Sequence, residues 1–453
     1  MRNRLLFAAI AASLVACSGD SGTIAISIVT APGSTVMDTV QTARLTLSDP
    51  VTVVETERDA SGRLVLDLTV EASGNNAAVR FEGFDSDGVL VAVGATPVLP
   101  LAAIDADIDI YVAAPNSLAE APVSLDPPRT DMGVAQLSYG VLFAGGRDGD
   151  GAASDDAQVY NTYDHAFQIG DPLPEPRVSP ILAGGANGQV YIFGGTDDAG
   201  GASSKVWRFD TNAAPAGAYY PLTSKPEYAR ASGEAAIVGT DLFVVTGDPV
   251  LSIDGVGGGV DPYPPADGLS FDGACVSTIL FSGHLLSLVA GLDVGTSGSM
   301  LISDGIITEL AASPAEMARE GHACVVLYDG SFLVVGGEHP TSGLLASAVR
   351  FDAVKKEFTV VPSLLATPRR NAAIASSGAY VIVAGGTDDT GTIVGTAEIY
   401  DGDNLQRVDT VTMLVPRTGA VATSLPNGQI MIAGGVDENG DPVGTIELFT
   451  PAP

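Results

Sequence analysis

Six arginines recur at one position of a repeated pattern. Arg129, Arg177, Arg230, Arg319, Arg369 and Arg417 each stand 16 or 17 residues ahead of a glycine-terminated doublet. A guanidinium is a planar fork of donors that fits a carboxylate, so such a set could gather an anionic ligand at one mouth. The same fork can instead brace loops by donating to carbonyls. Two carboxylates, Glu234 and Glu320, lie close in sequence to Arg230 and Arg319 and are placed for general acid or base work. Structural ion pairs would leave the same trace.

Other chemistry finds less support. Asp148-Gly149-Asp150 and Asp437-Glu438-Asn439-Gly440-Asp441 offer alternating oxygens of the kind Ca²⁺ takes. Neither completes a calcium loop with its central Gly and distal Glu, so we read them as solvated turns and expect no cofactor. Cys275 and Cys324 fall in the first strands of neighbouring repeats. An oxidising compartment would permit a bridge, but their three-position offset favours buried free thiols.

These residues hang on a repeat. Apolar runs end at Gly145-Gly146, Gly194-Gly195, Thr246-Gly247, Ala290-Gly291, Gly336-Gly337, Gly385-Gly386 and Gly434-Gly435, at steps of 49, 52, 44, 46, 49 and 49 residues. A turn such as Asn187-Gly188, Asp329-Gly330 or Asn427-Gly428 precedes each doublet and predicts an antiparallel hairpin. Fifteen residues after the first Gly an aromatic recurs: Tyr160, Phe209, Phe351, Tyr400 and Phe449. Strand parity then puts the Arg loops and the post-doublet loops on one face.

The order Pro-Arg, strand, turn, strand, Gly-Gly, loop, Tyr-Asp or Phe-Asp resembles the kelch repeat. That resemblance implies a seven-bladed kelch-type β-propeller of the galactose oxidase/kelch-like superfamily, with repeats opening at residues 129, 177, 230, 272, 319, 369 and 417. It also implies that the Arg face forms the binding mouth. Departures are the missing Trp of the fourth strand, with Phe167 and Phe358 near its place, an insertion at 254–267 in repeat 3, and no opening Arg in repeat 4. Copper oxidases of the superfamily need two His, two Tyr and a Tyr-linked Cys. Here no Tyr-His pair occurs, His165, His284 and His339 fall in turns or loops of different repeats, and only His322 would face the mouth. The resemblance to kelch-type sialate mutarotases keeps a sugar isomerase built on Glu234 or Glu320 as an alternative. Fold alone does not imply catalysis, so the expectation is a non-catalytic binding protein. An envelope scaffold without small ligand is the third reading.

Upstream of the repeats, Arg2 and Arg4 precede an apolar run from Leu5 to Ala16, too short to span a bilayer, which reads as an export signal. Leu14-Val15-Ala16-Cys17 resembles the lipobox of bacterial lipoproteins. It implies lipidation of Cys17 and, with Ser18 next, a place at the outer membrane or cell surface. Residues 18–22 form a tether. Residues 23–114 alternate as short strands and predict a small immunoglobulin-like β-sandwich spacer. Residues 115–122 read as a linker, and 123–128 as a closing strand that completes the last blade of a propeller at 123–453. The fold class is all-β. With 54 acidic and 21 basic residues, net −33, the chain repels nucleic acid and anionic lipid. The expected partner is a protein or carbohydrate, of anionic type where the arginines face it.

Overall fold

The computed structural model describes residues 24–453 except 65–74, 102–105, 185–187, 214–215, 239–241, 246, 248, 255–257, 263–274, 281–283, 290–298, 304–305, 310–313, 353 and 356. Only backbone strands are described between 275 and 309. The expectations for Cys17, for residues 18–22, and for the turns and doublets at 239–240, 246, 283 and 290–291 lie outside the described residues. So does the side chain of Cys275.

Each repeat folds as a four-stranded antiparallel sheet. Repeat 6 shows the pattern: Ala373–Ser377, Tyr380–Ala384, Thr396–Asp401 and Arg407–Thr412. Among the described residues seven such sheets follow one another. Their first strands touch in order, and that of repeat 7 returns to that of repeat 1. Among the described residues second strands carry continuous apolar runs, such as Val381 to Ala384, that are buried. That is the pattern of a strand covered on both faces. The recurring aromatics Tyr160, Phe209, Phe351, Tyr400 and Phe449 are all buried. Phe167 and Phe358 pack on Tyr160 and Phe351, and Tyr219 does the same on Phe209, at ring distances of 5.7, 4.7 and 4.5 Å respectively.

Backbone geometry requires the glycine doublets. Gly385 and Gly386 hold φ of 64° and 89°, and a Cβ on Gly385 would sit 2.2 Å from the carbonyl oxygen of Arg417. Only glycine meets both demands.

The ring is closed by a different segment from the one expected. Ser117–Glu120 pairs antiparallel with Glu447–Thr450, with Leu118 opposite Phe449. Residues 123–128 hold no strand. Pro127 and Pro128 lack the amide donors that a ladder needs. The expected linker is the strand.

The N-terminal domain is a smaller β unit. One sheet runs in the order Val51–Glu57, Thr42–Ser48, Val79–Phe84, Leu90–Ala95. Ile24–Val29 and Ala106–Tyr111 form a parallel pair, and Ile28, Leu45, Phe81 and Ile110 share one core. The domain docks on the ring. The Tyr163 hydroxyl donates to the Val98 carbonyl at 2.8 Å, and the Asp109 amide donates to the Tyr163 carbonyl at 2.7 Å. Val29, Tyr111, Tyr160 and Leu448 belong to one apolar cluster spanning both units. Among the described residues no helix is long and apolar enough to cross a membrane.

Candidate functional site

The residue after an opening Arg pairs with the residue after its doublet: Thr130 with Arg147, Val178 with Thr196, Glu320 with Glu338, Arg370 with Thr387, Thr418 with Val436. Opening loops and post-doublet loops therefore share one face. Tyr163 lies in the turn after a third strand, hence on the opposite face, and the N-terminal domain sits there. Among the described residues the N-terminal domain does not cover the Gly-Gly face.

The arginines do not point into that mouth. Arg129, Arg319, Arg369 and Arg417 are 0–1% exposed, and Arg177 is also buried. Each of those four donates through Nη1 to the first glycine carbonyl of its own doublet, at 2.7 Å for Arg129–Gly145 and 2.8 Å for Arg319–Gly336. Each also reaches a carbonyl beside its third strand, as Arg417 reaches Thr445 at 2.7 Å. The expected binding mouth of guanidiniums is corrected to a set of braces. Arg230 is half-buried and donates to the Pro249 carbonyl at 2.5 Å. Burial pulls Arg129, Arg319, Arg369 and Arg417 below the ordinary arginine range, Arg319 to about 10.

Thirteen residues after the first doublet glycine stands a position that the sequence reading did not single out: Gln158, Trp207, Val349, Glu398 and Glu447. It faces the brace. Glu398 pairs with Arg369, and Glu447 with Arg417 at 2.8 Å, both inside the protein. Tyr400 adds its hydroxyl to Glu398 at 2.6 Å, and Arg177 lies 5.9 Å from the ring centre of Trp207. The signal was available in the constant offset from the doublet.

The open face carries carboxylates instead. In each of four loops the first Asp closes its own turn: Asp388 Oδ1 accepts the amides of Thr390 and Thr392, each at 2.9 Å. Asp148, Asp197 and Asp437 repeat the arrangement. Next to them Asp150, Asp198, Asp389 and Glu438 are exposed. Among the described residues no group of three His, Cys, Asp or Glu is placed to hold a metal. Nearer the axis, Asp131, Ser179 and Asn371 adopt positive φ. They link neighbouring repeats, the Ser179 amide donating to the Asp131 carbonyl at 2.8 Å and the Gly419 amide to the Asn371 carbonyl at 3.0 Å.

The acid–arginine pairs of the catalytic alternative are not assembled at Glu320. That residue is exposed, while Arg319 is committed to Gly336 and Ser347. Glu234 differs. It keeps accessible surface although protein surrounds it, and desolvation pushes its carboxyl up to about 7. His322 donates through Nδ1 to the Arg319 carbonyl, 3.0 Å away, and burial pulls it down to about 4. The free-thiol expectation is corrected at Cys324, which is disulfide-bonded. The strand Cys275–Leu280 runs beside Ala323–Val326, in contact with it.

Residues 179–213 match the family model described as the Kelch motif. No curated protein matches the chain. Among solved structures, one titled "Structure of YjhT" superposes with a TM-score of 0.45 at 14% identity, over 61% of this chain and 96% of that one. That likeness is too distant to argue from.

Proposed function

We propose that this kelch-repeat β-propeller, a ring of seven blades, is a non-catalytic binding protein held at the outer membrane or cell surface through Cys17, and that its Gly-Gly face receives the partner. One observation carries this reading: the N-terminal domain, which follows the proposed anchor in the chain, occupies the face opposite the Gly-Gly loops. The strand Ile24–Val29 supports that polarity. Its end, Val29, packs in the cluster shared with the ring, whereas Ile28 belongs to the domain's own core. We take this domain as the immunoglobulin-like spacer. With the arginines used as braces, the accessible charge of the open face is acidic, which favours a cationic protein surface over an anionic one.

Two measurements test it. Replacing Asp150, Asp389 and Glu438 by Asn or Gln should weaken and desensitise to salt the binding of a lysine-rich peptide probe. Unchanged affinity and salt dependence would remove the face from the proposal. Mass spectrometry of the exported protein should find a lipidated Cys17 at the mature N-terminus, lost in Cys17→Ser.

A second reading, proton transfer to or from a small sugar, rests on Glu234 alone. A carboxyl near 7 can act in both directions at neutral pH. Glu234→Gln would abolish such an activity while leaving peptide binding intact.

A further inference from the structure

On the face opposite the Gly-Gly loops, the N-terminal sheet and the turn of repeat 7 enclose a cleft of about 790 Å³. Arg80, Thr46 and Thr96 line one wall, and Asn427 and Gly428 line the other. A second cleft of about 400 Å³ continues it over Gly378 and Tyr380 and shares Arg80, Ala95, Asn427 and Gly428 with the first. Volumes of this order suit small ligands, and domain junctions are where such pockets form most often.

Strand register decides which charges are free. Glu55, Arg44 and Glu82 stand opposite one another across three strands. Arg44 takes both acids, Nε to Glu55 at 3.2 Å and Nη1 to Glu82 at 3.8 Å, and lies 5.0 Å from the Phe84 ring centre. The two carboxylates of the lining are thereby committed. Two residues along the same face, Arg80 stands between Thr46 and Ala95. Those neighbours are too short to cover it. Arg80 is exposed and has no hydrogen-bond or ion-pair partner among the described residues. It is a rare cation left open in a chain of net −33.

The surrounding groups are polar and undercommitted. Thr46 has an open hydroxyl. Ser48 accepts the Ala78 amide at 2.9 Å and keeps its proton to donate, while Ser377 donates to the Gly428 carbonyl at 2.7 Å and can still accept. The Tyr380 ring adds a half-buried apolar patch.

We propose that this interdomain cleft binds a small carboxylic acid with a hydroxylated body, and that Arg80 is the fork that receives the carboxylate. Guanidinium and carboxylate match in geometry and charge. The site lies on the opposite face from the partner surface above and does not depend on it.

The test is calorimetric titration of the full-length protein at low salt with glucuronate, with glucose as uncharged counterpart and inorganic phosphate as a second anion. Glucuronate should bind, glucose should not, and phosphate should bind more weakly. Arg80→Gln should weaken glucuronate by roughly tenfold or more, as expected for one charge-assisted fork. Arg80→Lys should fall between. Absence of glucuronate binding, equal binding of glucose or phosphate, or unchanged affinity in Arg80→Gln would overturn the proposal.

Discussion

Arg417 and Glu447 form an ion pair at 2.8 Å with neither side chain exposed to solvent. The same carboxylate accepts the Leu414 amide at 2.8 Å, so the pair fastens the approach to the last blade as well as its third strand. Its repeat-6 counterpart, Arg369 with Glu398, is joined by Tyr400. A charge buried this way is costly alone and tolerable only with its partner.

Removing one member should therefore cost more than removing both. Glu447→Gln or Arg417→Gln should lose about 3–5 kcal/mol of stability, whereas Arg417→Met with Glu447→Leu should lose clearly less. Urea unfolding of the three variants checks this. Equal losses would mean that the pair is not the brace described.

The closing strand gives a positional prediction. Ala119→Pro removes a ladder donor from Ser117–Glu120, because the Ala121–Ile446 hydrogen bond sets Ala119 and Leu448 as the next bonded pair, and should cost about 3 kcal/mol or more, with earlier, less cooperative melting. Ser124→Gly, in the segment that holds no strand, should stay within about 0.5 kcal/mol. A reversed order would return closure to residues 123–128.

Acid should loosen the junction of the two units. His165 is buried between Tyr111 and Tyr160, hydrogen-bonded through Nδ1 to the Tyr160 hydroxyl at 2.8 Å, and burial pulls it down to about 3. Its charged form is thus favoured only after unfolding. As pH falls below the unfolded value near 6.5, the unfolded chain takes a proton that the fold refuses. Stability should fall by up to about 1.4 kcal/mol per pH unit from this group until pH nears 3. His322 acts in the same direction. Denaturation midpoints between pH 7 and 4, compared with those of His165→Phe, read this out. The variant should show a shallower slope.

Cys324 should make stability redox-dependent. Reduction, or Cys324→Ser, should remove about 2–5 kcal/mol. Melting with and without reductant should differ in the wild type and coincide in the variant.

The repeat, its strand order and the shared face of Arg and Gly-Gly loops were legible because they follow from local backbone rules. A glycine doublet at positive φ, a tight turn and an apolar run declare themselves within one repeat, and parity does the rest. The chain's acidic balance was equally plain. What an arginine does was not, because bracing and binding ask for the same residue. Only the packing of neighbouring repeats decided that Arg129, Arg319, Arg369 and Arg417 are covered and turned to carbonyls. Closure was ambiguous for a related reason. Leu118 and Phe449 meet across more than three hundred residues of chain, and no local pattern distinguishes an edge strand from a linker at such a distance. Arg80 carries no motif at all. Its availability arises from register, which gives Arg44 both nearby acids, and from docking of a domain that sets a propeller turn opposite it.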